Sequence, residues 1–406
     1  MGLMSDNEWR ILAGTVITPT RIIQPCRIDI KDKKILRVIS AVDISSSESQ
    51  IELGELDLNA LDGYVIPGLV DLQVNGALGW SFQAVDQPYW QQICNFHLHA
   101  GTTSFLPTLV SAPRDVLLTS LLSLADCLDS IVAPYLPGIH LEGPFLSPER
   151  SGAHDPAALH LPDTAYFSQL INAARSKVRM ITLAPELPGS EDLIRCASQA
   201  GILVSAGHTT ARYSRIQDAV RAGLRFITHA GNASDWPHRE MGEHGFLVSE
   251  PGLVGSLMAI PDLGGSVIMD GFHFHPALFE PMIRIKSPKN LVLISDSSPV
   301  AGSPPGDYKS GGLEITIHPD GFATSGRGGG WLAGSTITLL EGVQRAVQLA
   351  KIPLQQAVMM ATVTPARWIG ISPQKGQIRS GGDADLLILN RDLSLRHVIA
   401  GGQIIQ

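Results

Sequence analysis

Five polar residues in this sequence lie at or just after the end of a short apolar run: Glu142, His208, His229, His273 and Asp296. One carboxylate and two imidazoles form a ligand set that suits Zn²⁺ or Fe²⁺, and three protein ligands leave a coordination position open for water. A further carboxylate could take a proton from that water and return it to a leaving amine. These residue types therefore indicate metal-dependent hydrolysis, provided that the fold brings them together.

The elements that must position these residues can be read from the pattern of apolar runs. Eight runs end on a polar residue, and most are separated by stretches long enough for a helix: Val65–Asn75, Thr103–Thr108, Gly138–Glu142, Arg179–Glu186, Ile202–His208, Phe226–His229, Ser266–Asp270 and Leu291–Asp296. Eight strand–helix units predict an α/β fold, the (β/α)8 TIM-like barrel, whose catalytic groups lie at the carboxyl ends of the strands. Strand ends that are neighbours in such a barrel could share one ion.

Each candidate also has a purely structural interpretation. Glu142 could be a salt-bridged turn carboxylate, and Asp296 could cap a helix. A lone histidine at a strand end is more often a hydrogen-bonded core residue than a ligand. Two of them on successive strands, His208 and His229, favour the metal interpretation.

Two histidine pairs look like ligands but are not expected to be. His97-Leu98-His99 lies in a helical stretch, and residues two apart on a helix do not share a face. His275 forms a similar pair with His273, but His273 is expected to contact substrate, by polarising a carbonyl or holding a sugar hydroxyl.

The two ends of the chain differ in character from the middle. Short β-like runs alternate with turns over residues 9–64, and three more runs follow near the other end: Lys375–Ile378, Asp385–Asn390 and Val398–Gln406. A barrel takes about 250 residues, and two short β-rich ends cannot each bury a core alone. We therefore expect residues 1–66 and 373–406 to form one small β-sandwich beside a barrel of residues 67–372.

Composition narrows the classes of partner. The formal net charge is −8 and no basic cluster is present, so nucleic acid and membrane surfaces are not expected partners. No apolar run reaches about 18 residues, and the first ten residues lack a secretory signal. The four scattered cysteines are expected to be reduced thiols, so the predicted location is cytoplasmic.

Several motifs together resemble one family. These are Pro67–Asp71, His140–Leu146 (HLEGPFL), Ser151–His154 (SGAH), Ala206–Thr209 (AGHT), Thr228–Ala233 (THAGNA), Asp270–His273 (DGFH), Ser295–Gly302 (SDSSPVAG), Leu332–Thr338 (LAGSTIT) and Gly382–Asp385. The first and last are typical of the whole amidohydrolase superfamily. The HLEGPFL, SGAH and LAGS segments are typical of a much smaller group of proteins. With them, the chain resembles the N-acetylglucosamine-6-phosphate deacetylase family over nearly its whole length.

The resemblance implies roles for individual residues. It implies that Glu142, His208 and His229 bind one divalent metal ion, expected to be Zn²⁺, although Fe²⁺, Co²⁺ and Mn²⁺ suit the same ligands. Asp296 would be the catalytic acid and base, and His273 would orient the acetyl carbonyl or the sugar. The implied substrate-binding residues are His154, Asn232, Ala233, Arg239, His273, Leu332 and Ala333. Gln73 and Asn75 stand where other members carry an HxH pair for a second metal.

The resemblance also implies an activity and a partner. The expected reaction is deacetylation of N-acetylglucosamine 6-phosphate, an amino-sugar phosphate, by a homodimer whose partner subunit lends a phosphate-binding group. The segment after His229 departs from the family pattern, so Arg239 or Arg150 must supply the cation for the phosphate. Two alternatives stay open at this point. One is an amidohydrolase for another N-acyl or cyclic amide, and the other is a non-catalytic barrel protein.

Overall fold

The computed structural model describes residues 8–40, 58–83, 87–130, 134–241, 245–310, 313–326 and 330–405. Its strands are β1 (Glu8–Ile17), β2 (Ile22–Ile23), β3 (Cys26–Lys31), β4 (Lys34–Ser40), β5 (Leu58–Pro67), β6 (Leu69–Val74), β7 (Gly76–Ala77), β8 (Trp80–Ser81), β9 (Thr102–Val110), β10 (Ile139–Glu142), β11 (Val178–Leu183), β12 (Leu203–Ala206), β13 (Phe226–Ile227), β14 (His238–Met241), β15 (Leu247–Glu250), β16 (Gly265–Ile268), β17 (Leu291–Ile294), β18 (Gly306–Ser310), β19 (Leu313–Ile317), β20 (Ala323–Ser325), β21 (Leu386–Leu389), β22 (Leu395–Ala400) and β23 (Gln403–Ile404).

Ten α-helices are assigned within the described residues: α1 (Gln87–His99), α2 (Arg114–Cys127), α3 (Thr164–Ala173), α4 (Ser190–Gln199), α5 (Tyr213–Ala222), α6 (Gly252–Ala259), α7 (Pro276–Lys286), α8 (Leu339–Gln348), α9 (Leu354–Met360) and α10 (Val363–Trp368). Among these helices, none has both the length and the hydropathy that a membrane span requires.

Eight parallel strands form the TIM-like barrel, and they correspond to the eight predicted runs. Six of them lie in one sheet in the order β13-β12-β11-β10-β9-β6, and β16 pairs with β17. Backbone hydrogen bonds connect the two groups: the Ile227 amide donates to the Gly264 carbonyl at 2.9 Å, and the Asn75 amide to the Ser297 carbonyl at 2.9 Å. The carboxyl ends of all eight strands therefore face the same end of the barrel.

The barrel strands are apolar because both of their faces are buried. Along β17, Val292 and Ile294 belong to one apolar cluster, and Leu291 and Leu293 belong to another. Alternate side chains of a strand point to opposite faces. The first cluster gathers side chains from several barrel strands and from α10, and the second includes most of the buried helix residues. Hence the runs look continuously apolar rather than alternating.

Both ends of the chain combine in a second sheet, in the order β23-β22-β21-β5-β1-β3-β4 with β2 on β1. Along β21, Leu386 and Ile388 pack into the sheet's own apolar cluster, whereas Leu387 and Leu389 pack into the cluster of the barrel. The sheet therefore has one face on the barrel. The described strands of these ends all belong to this one sheet, so the expected two-sheet sandwich is not confirmed.

One predicted strand is wrong. Residues Lys375–Ile378 form a bend followed by irregular backbone, with a positive φ of 75° at Gly376. The Lys375 ammonium lies 3.0 Å from Asp383 and 2.5 Å from Asp385, so the segment is held by ion pairs rather than by a ladder of backbone hydrogen bonds. The four cysteines are free thiols, as expected.

Truncation of Leu387 should weaken the attachment of the second sheet to the barrel. This side chain is fully buried and faces the turn at Gly101. Leu387→Ala should cost about 2–5 kcal/mol through lost burial and a residual cavity. Chemical denaturation followed by circular dichroism should show the lower midpoint. Leu36→Ala, at a position that is 42% exposed, is the control and should change stability by less than about 0.5 kcal/mol. Equal losses in the two variants would contradict this packing.

Candidate active site

The three expected metal ligands lie at the carboxyl ends of three barrel strands. Glu142 is the last residue of β10, and His208 and His229 follow β12 and β13 by two residues each. The two histidines and Asp296 have positive φ angles of 50°, 29° and 47°. Such backbone angles are unusual for residues other than glycine and concentrate at functional sites, where the surrounding structure holds them.

These three side chains converge on the Glu142 carboxylate. Its Oε1 lies 3.2 Å from His208 Nε2 and 2.8 Å from His229 Nε2. One ligand atom from each residue lies within 4.8 Å of the other two, and all three side chains are buried. The donor set, one carboxylate oxygen and two imidazole nitrogens, therefore fits a divalent ion of the zinc type.

The electrostatics of the cluster keep two of the expected ligands, Glu142 and His208, in a binding form. Burial raises the pKa of Glu142, but hydrogen bonds from His154, His208 and His229 hold it well below its usual range. Burial also lowers the pKa of His208 to about 4. An ionised carboxylate and a neutral imidazole are the forms that bind a metal ion.

Hydrogen bonds on the side away from Glu142 orient the rings of His208 and of the neighbouring His154. His208 Nδ1 lies 2.9 Å from the carbonyl oxygen of Arg150, which leaves Nε2 for Glu142 or an ion. His154 Nδ1 faces the amide and hydroxyl of Ser111 at 3.3 and 3.1 Å, and its Nε2 lies 3.7 Å from Glu142 Oε2. Partners of this kind fix the tautomer and orientation of a histidine.

Asp296 lies beside this cluster after β17. Its Oδ1 accepts a hydrogen bond from Asn75 Nδ2 at 2.8 Å. Burial, followed by the nearby charge of Glu142, raises the pKa of Asp296 to about 6. A carboxyl group with a pKa in this range can both accept and release a proton near neutral pH.

His273 is held by a carboxylate of its own. Its Nδ1 lies 2.6 Å from Asp270 Oδ2, and both side chains are about 95% buried. This pairing leaves Nε2 of His273 as the ring atom that is free to contact a ligand.

One cavity of about 750 Å³ contains these groups. It is lined by the three ligands and by most of the other predicted residues: Asn75, His154, Asn232, Ala233, His273, Asp296, Leu332 and Ala333. The lining also includes several apolar residues, among them Val110, Pro113, Val116 and Trp331. A concave site lined by apolar residues and a few polar groups is typical of a pocket for a small molecule.

Arg150 and Arg239, the two arginines predicted to bind the phosphate, are not among the residues that line the cavity. No lysine or arginine is among the described residues that line the cavity. Arg150 pairs with Asp235, and Arg239 is exposed on β14 opposite Ser249. Gln73 is fully buried, and neither atom of its side-chain amide, Nε2 or Oε1, has a hydrogen-bond partner within the described part of the chain.

Apart from His273, the members of the two misleading histidine pairs are not among the residues that line the cavity. His97 and His99 lie on α1, where His97 is buried against the Gly76 carbonyl at 3.1 Å and His99 is exposed. His275 accepts from the Ala277 amide at the start of α7.

Two residues of the site were missed by reasoning from the sequence. Asp270 belongs to the DGFH segment, so its spacing of three from His273 was a signal. Ser111 follows β9 and is 43 residues from His154, and nothing in the sequence connects them.

Comparisons with known proteins identify the family of this chain. Residues 64–405 match the model of the amidohydrolase family. The chain therefore belongs to the amidohydrolase family.

More specific relatives come from curated proteins and solved structures. The N-acetylglucosamine-6-phosphate deacetylase of Bos taurus is 32% identical over 345 residues, covering 84% of this chain and 82% of the relative. That of Bacillus subtilis is 30% identical over 401 residues, covering 96% and 95%. A Mycobacterium smegmatis deacetylase mutant in complex with N-acetyl-D-glucosamine-6-phosphate superposes with a TM-score of 0.87 at 30% identity, covering 98% of this chain and 99% of that one. Within the amidohydrolases, the chain belongs to the N-acetylglucosamine-6-phosphate deacetylase family.

The buried cluster predicts a loss of bound metal when one ligand is removed. His208→Ala should retain far less than one divalent ion per chain after dialysis, because only two of the three converging donors remain. Elemental analysis by plasma emission would measure the metal. His99→Ala is the matched control, since this exposed histidine on α1 should not affect metal content. Full occupancy in His208→Ala, or equal loss in the control, would rule out this ligand set.

Proposed function

We propose that this protein hydrolyses N-acetylglucosamine 6-phosphate to glucosamine 6-phosphate and acetate. The observation that carries the proposal is the convergence of Asp296, His273 and the Glu142 cluster on one cavity, in a chain of this deacetylase family. The complete ligand set and its neighbouring carboxylate argue against a non-catalytic barrel protein.

Glu142, His208 and His229 would hold one divalent ion, with Zn²⁺ expected and Fe²⁺, Co²⁺ or Mn²⁺ as alternatives. When bound, such an ion supplies Lewis acidity and lowers the pKa of a coordinated water. Gln73 and Asn75 offer amide groups at the second-metal positions, and amides are poor ligands for a transition metal. A single-metal site is therefore the form we propose.

Asp296 would move the proton. It would accept a proton from the attacking water and deliver it to the amine that leaves the acetyl carbon. The hydrogen bond from Asn75 to Oδ1 leaves Oδ2 for this transfer. Burial of the side chain favours it, because a desolvated carboxylate with a raised pKa is a stronger base.

The remaining lining residues would orient the sugar. His273 would donate from Nε2 to the acetyl carbonyl, and His154 would contact a sugar hydroxyl. Asn232 and Ala233 follow β13 and would hold the end of the substrate that carries the phosphate. Leu332 and Ala333 would pack against the sugar from the loop after β20.

A second copy of the chain would supply the cation for the phosphate. Arg239 lies on the hairpin of β14 and β15, whose described residues expose several large apolar side chains: Met241, Phe246, Leu247 and Val248. Exposed apolar surface of this kind often marks a protein interface. We propose that the hairpin forms part of a homodimer contact and carries Arg239 into the cavity of the partner subunit.

One observation favours the alternative function. Because the described cavity lining holds no lysine or arginine, an unphosphorylated amino sugar or an N-acyl amino acid is a second candidate substrate.

The domain limits at residues 66/67 and 372/373 and the cytoplasmic location stay predictions.

Acetate release distinguishes the two substrates. The metal-loaded protein should release acetate from N-acetylglucosamine 6-phosphate with a kcat/KM well above that for the unphosphorylated sugar. Asp296→Asn should lower kcat by about 10²–10⁴-fold, which is the contribution expected of a general acid–base group. This variant should keep its metal ion. Equal rates on both sugars would favour the alternative, and near-normal turnover by Asp296→Asn would exclude its role as the base.

The shared phosphate site can be tested by mixing subunits. Arg239→Ala should raise KM for the phosphorylated sugar and leave turnover of the unphosphorylated sugar unchanged. Co-expression of Arg239→Ala chains with Asp296→Asn chains should restore about a quarter of the wild-type sites, because half of randomly paired dimers would contain one complete site. Arg239 acting on its own subunit would give no restoration, and this result would exclude the exchange. Arg215→Ala, an exposed arginine on α5, is the control.

A further inference from the structure

The DGFH turn after β16 contains a carboxylate that none of the steps above uses. Asp270 Oδ1 accepts from the amides of Phe272 and His273 at 2.9 and 2.8 Å. Its other oxygen, Oδ2, faces His273 Nδ1 at 2.6 Å. One side chain therefore holds both the backbone and the ring of His273.

A hydrogen bond from helix α8 holds the backbone of this turn. Arg345 on α8 donates to the backbone carbonyl of Asp270. Gly271 has a φ of 85°, so the chain reverses directly after Asp270. The backbone that carries the Asp270 carboxylate is thus fixed to α8, and His273, which lines the cavity, follows it in the same turn.

The geometry determines which ring nitrogen of His273 carries a proton. Burial raises the pKa of Asp270, but the hydrogen bonds from His273 lower it by more than burial raises it. The pKa therefore lies below its usual value, and the carboxyl is ionised. An ionised carboxylate can only accept, so Nδ1 of His273 is the donor. The ring then presents Nε2 to the cavity that it lines.

We propose that Asp270 is a positioning residue of the reaction, which holds His273 with Nε2 toward the acetyl carbonyl. This inference rests on the proposed function, because it assumes that His273 contacts the amide. A neutral ring with a proton on Nδ1 can only accept at Nε2, whereas the imidazolium can donate there. A ring that is protonated on both nitrogens would donate from Nε2 to the oxygen of the acetyl group as negative charge develops there, and the Asp270 carboxylate 2.6 Å from Nδ1 would offset the charge of that ring.

Asp270→Asn tests the pairing with little change in shape. The asparagine keeps an oxygen for the two backbone amides but loses the charge and the second acceptor. We expect kcat to fall about 10²-fold, the scale of losing one oxyanion donor, with a change in KM of less than about threefold. In a His273→Gln background, Asp270→Asn should have little further effect, because the two residues act as a unit.

Nuclear magnetic resonance of histidine-labelled protein gives a readout that does not depend on turnover. The ¹⁵N signals of His273 are those that disappear in His273→Gln. In wild-type protein Nδ1 should carry a proton, and in Asp270→Asn this proton should be lost or should exchange faster. Asp163→Asn is the matched control, since Asp163 also caps two backbone amides through Oδ1 but has no histidine partner in the hydrogen bonds of its carboxylate.

The outcomes separate this inference from the proposed function. Unchanged His273 signals in Asp270→Asn, or a loss confined to KM, would overturn the positioning role. A normal kcat in His273→Gln would remove the role of His273 and the inference with it. If wild-type protein released no acetate from either sugar, the proposed function would fail, and the His273 signals would still decide whether Asp270 sets the ring.

Discussion

The interaction on which the site depends is the burial of the Glu142 carboxylate among histidines. A buried charge is costly unless hydrogen bonds and opposite charge compensate for the lost water. Here His154, His208 and His229 converge on the two carboxylate oxygens. Their positions require the strand order of the barrel, because the histidines follow different strands. The same arrangement places a carboxylate oxygen and two imidazole nitrogens together, which are the ligand types that suit a divalent ion.

The barrel and the second sheet support this arrangement in different ways. The barrel strands bury both faces, and the polar residues that follow them lie at one end of the core. The second sheet contributes no described residue to the cavity lining. It instead packs Leu387 and Leu389 into the barrel cluster, and thereby joins the two ends of the chain to the catalytic body.

Much of the fold could be predicted because its signal is local. Each barrel strand is an apolar run followed by a polar residue, and Glu142, His208, His229 and Asp296 all stand at such ends. The Lys375–Ile378 segment was mistaken for a strand because its composition resembles one. Its ion pairs to Asp383 and Asp385 appear only when the chain folds back. The position of Arg239 could not be predicted either, because it depends on how the β14–β15 hairpin projects from the barrel.

The sequence by itself determined the residue types of the site, the alternation of strands and helices, and the family that these motifs indicate. These properties depend on neighbours along the chain. Only the tertiary structure decided which atoms of distant residues meet: Asn75 with Asp296 at 2.8 Å, and Ser111 with His154 at 3.1 Å. It also decided that no described lysine or arginine enters the cavity lining. Contacts across 221 or 43 residues depend on barrel closure and strand register, and neither of these has a local signature in the sequence.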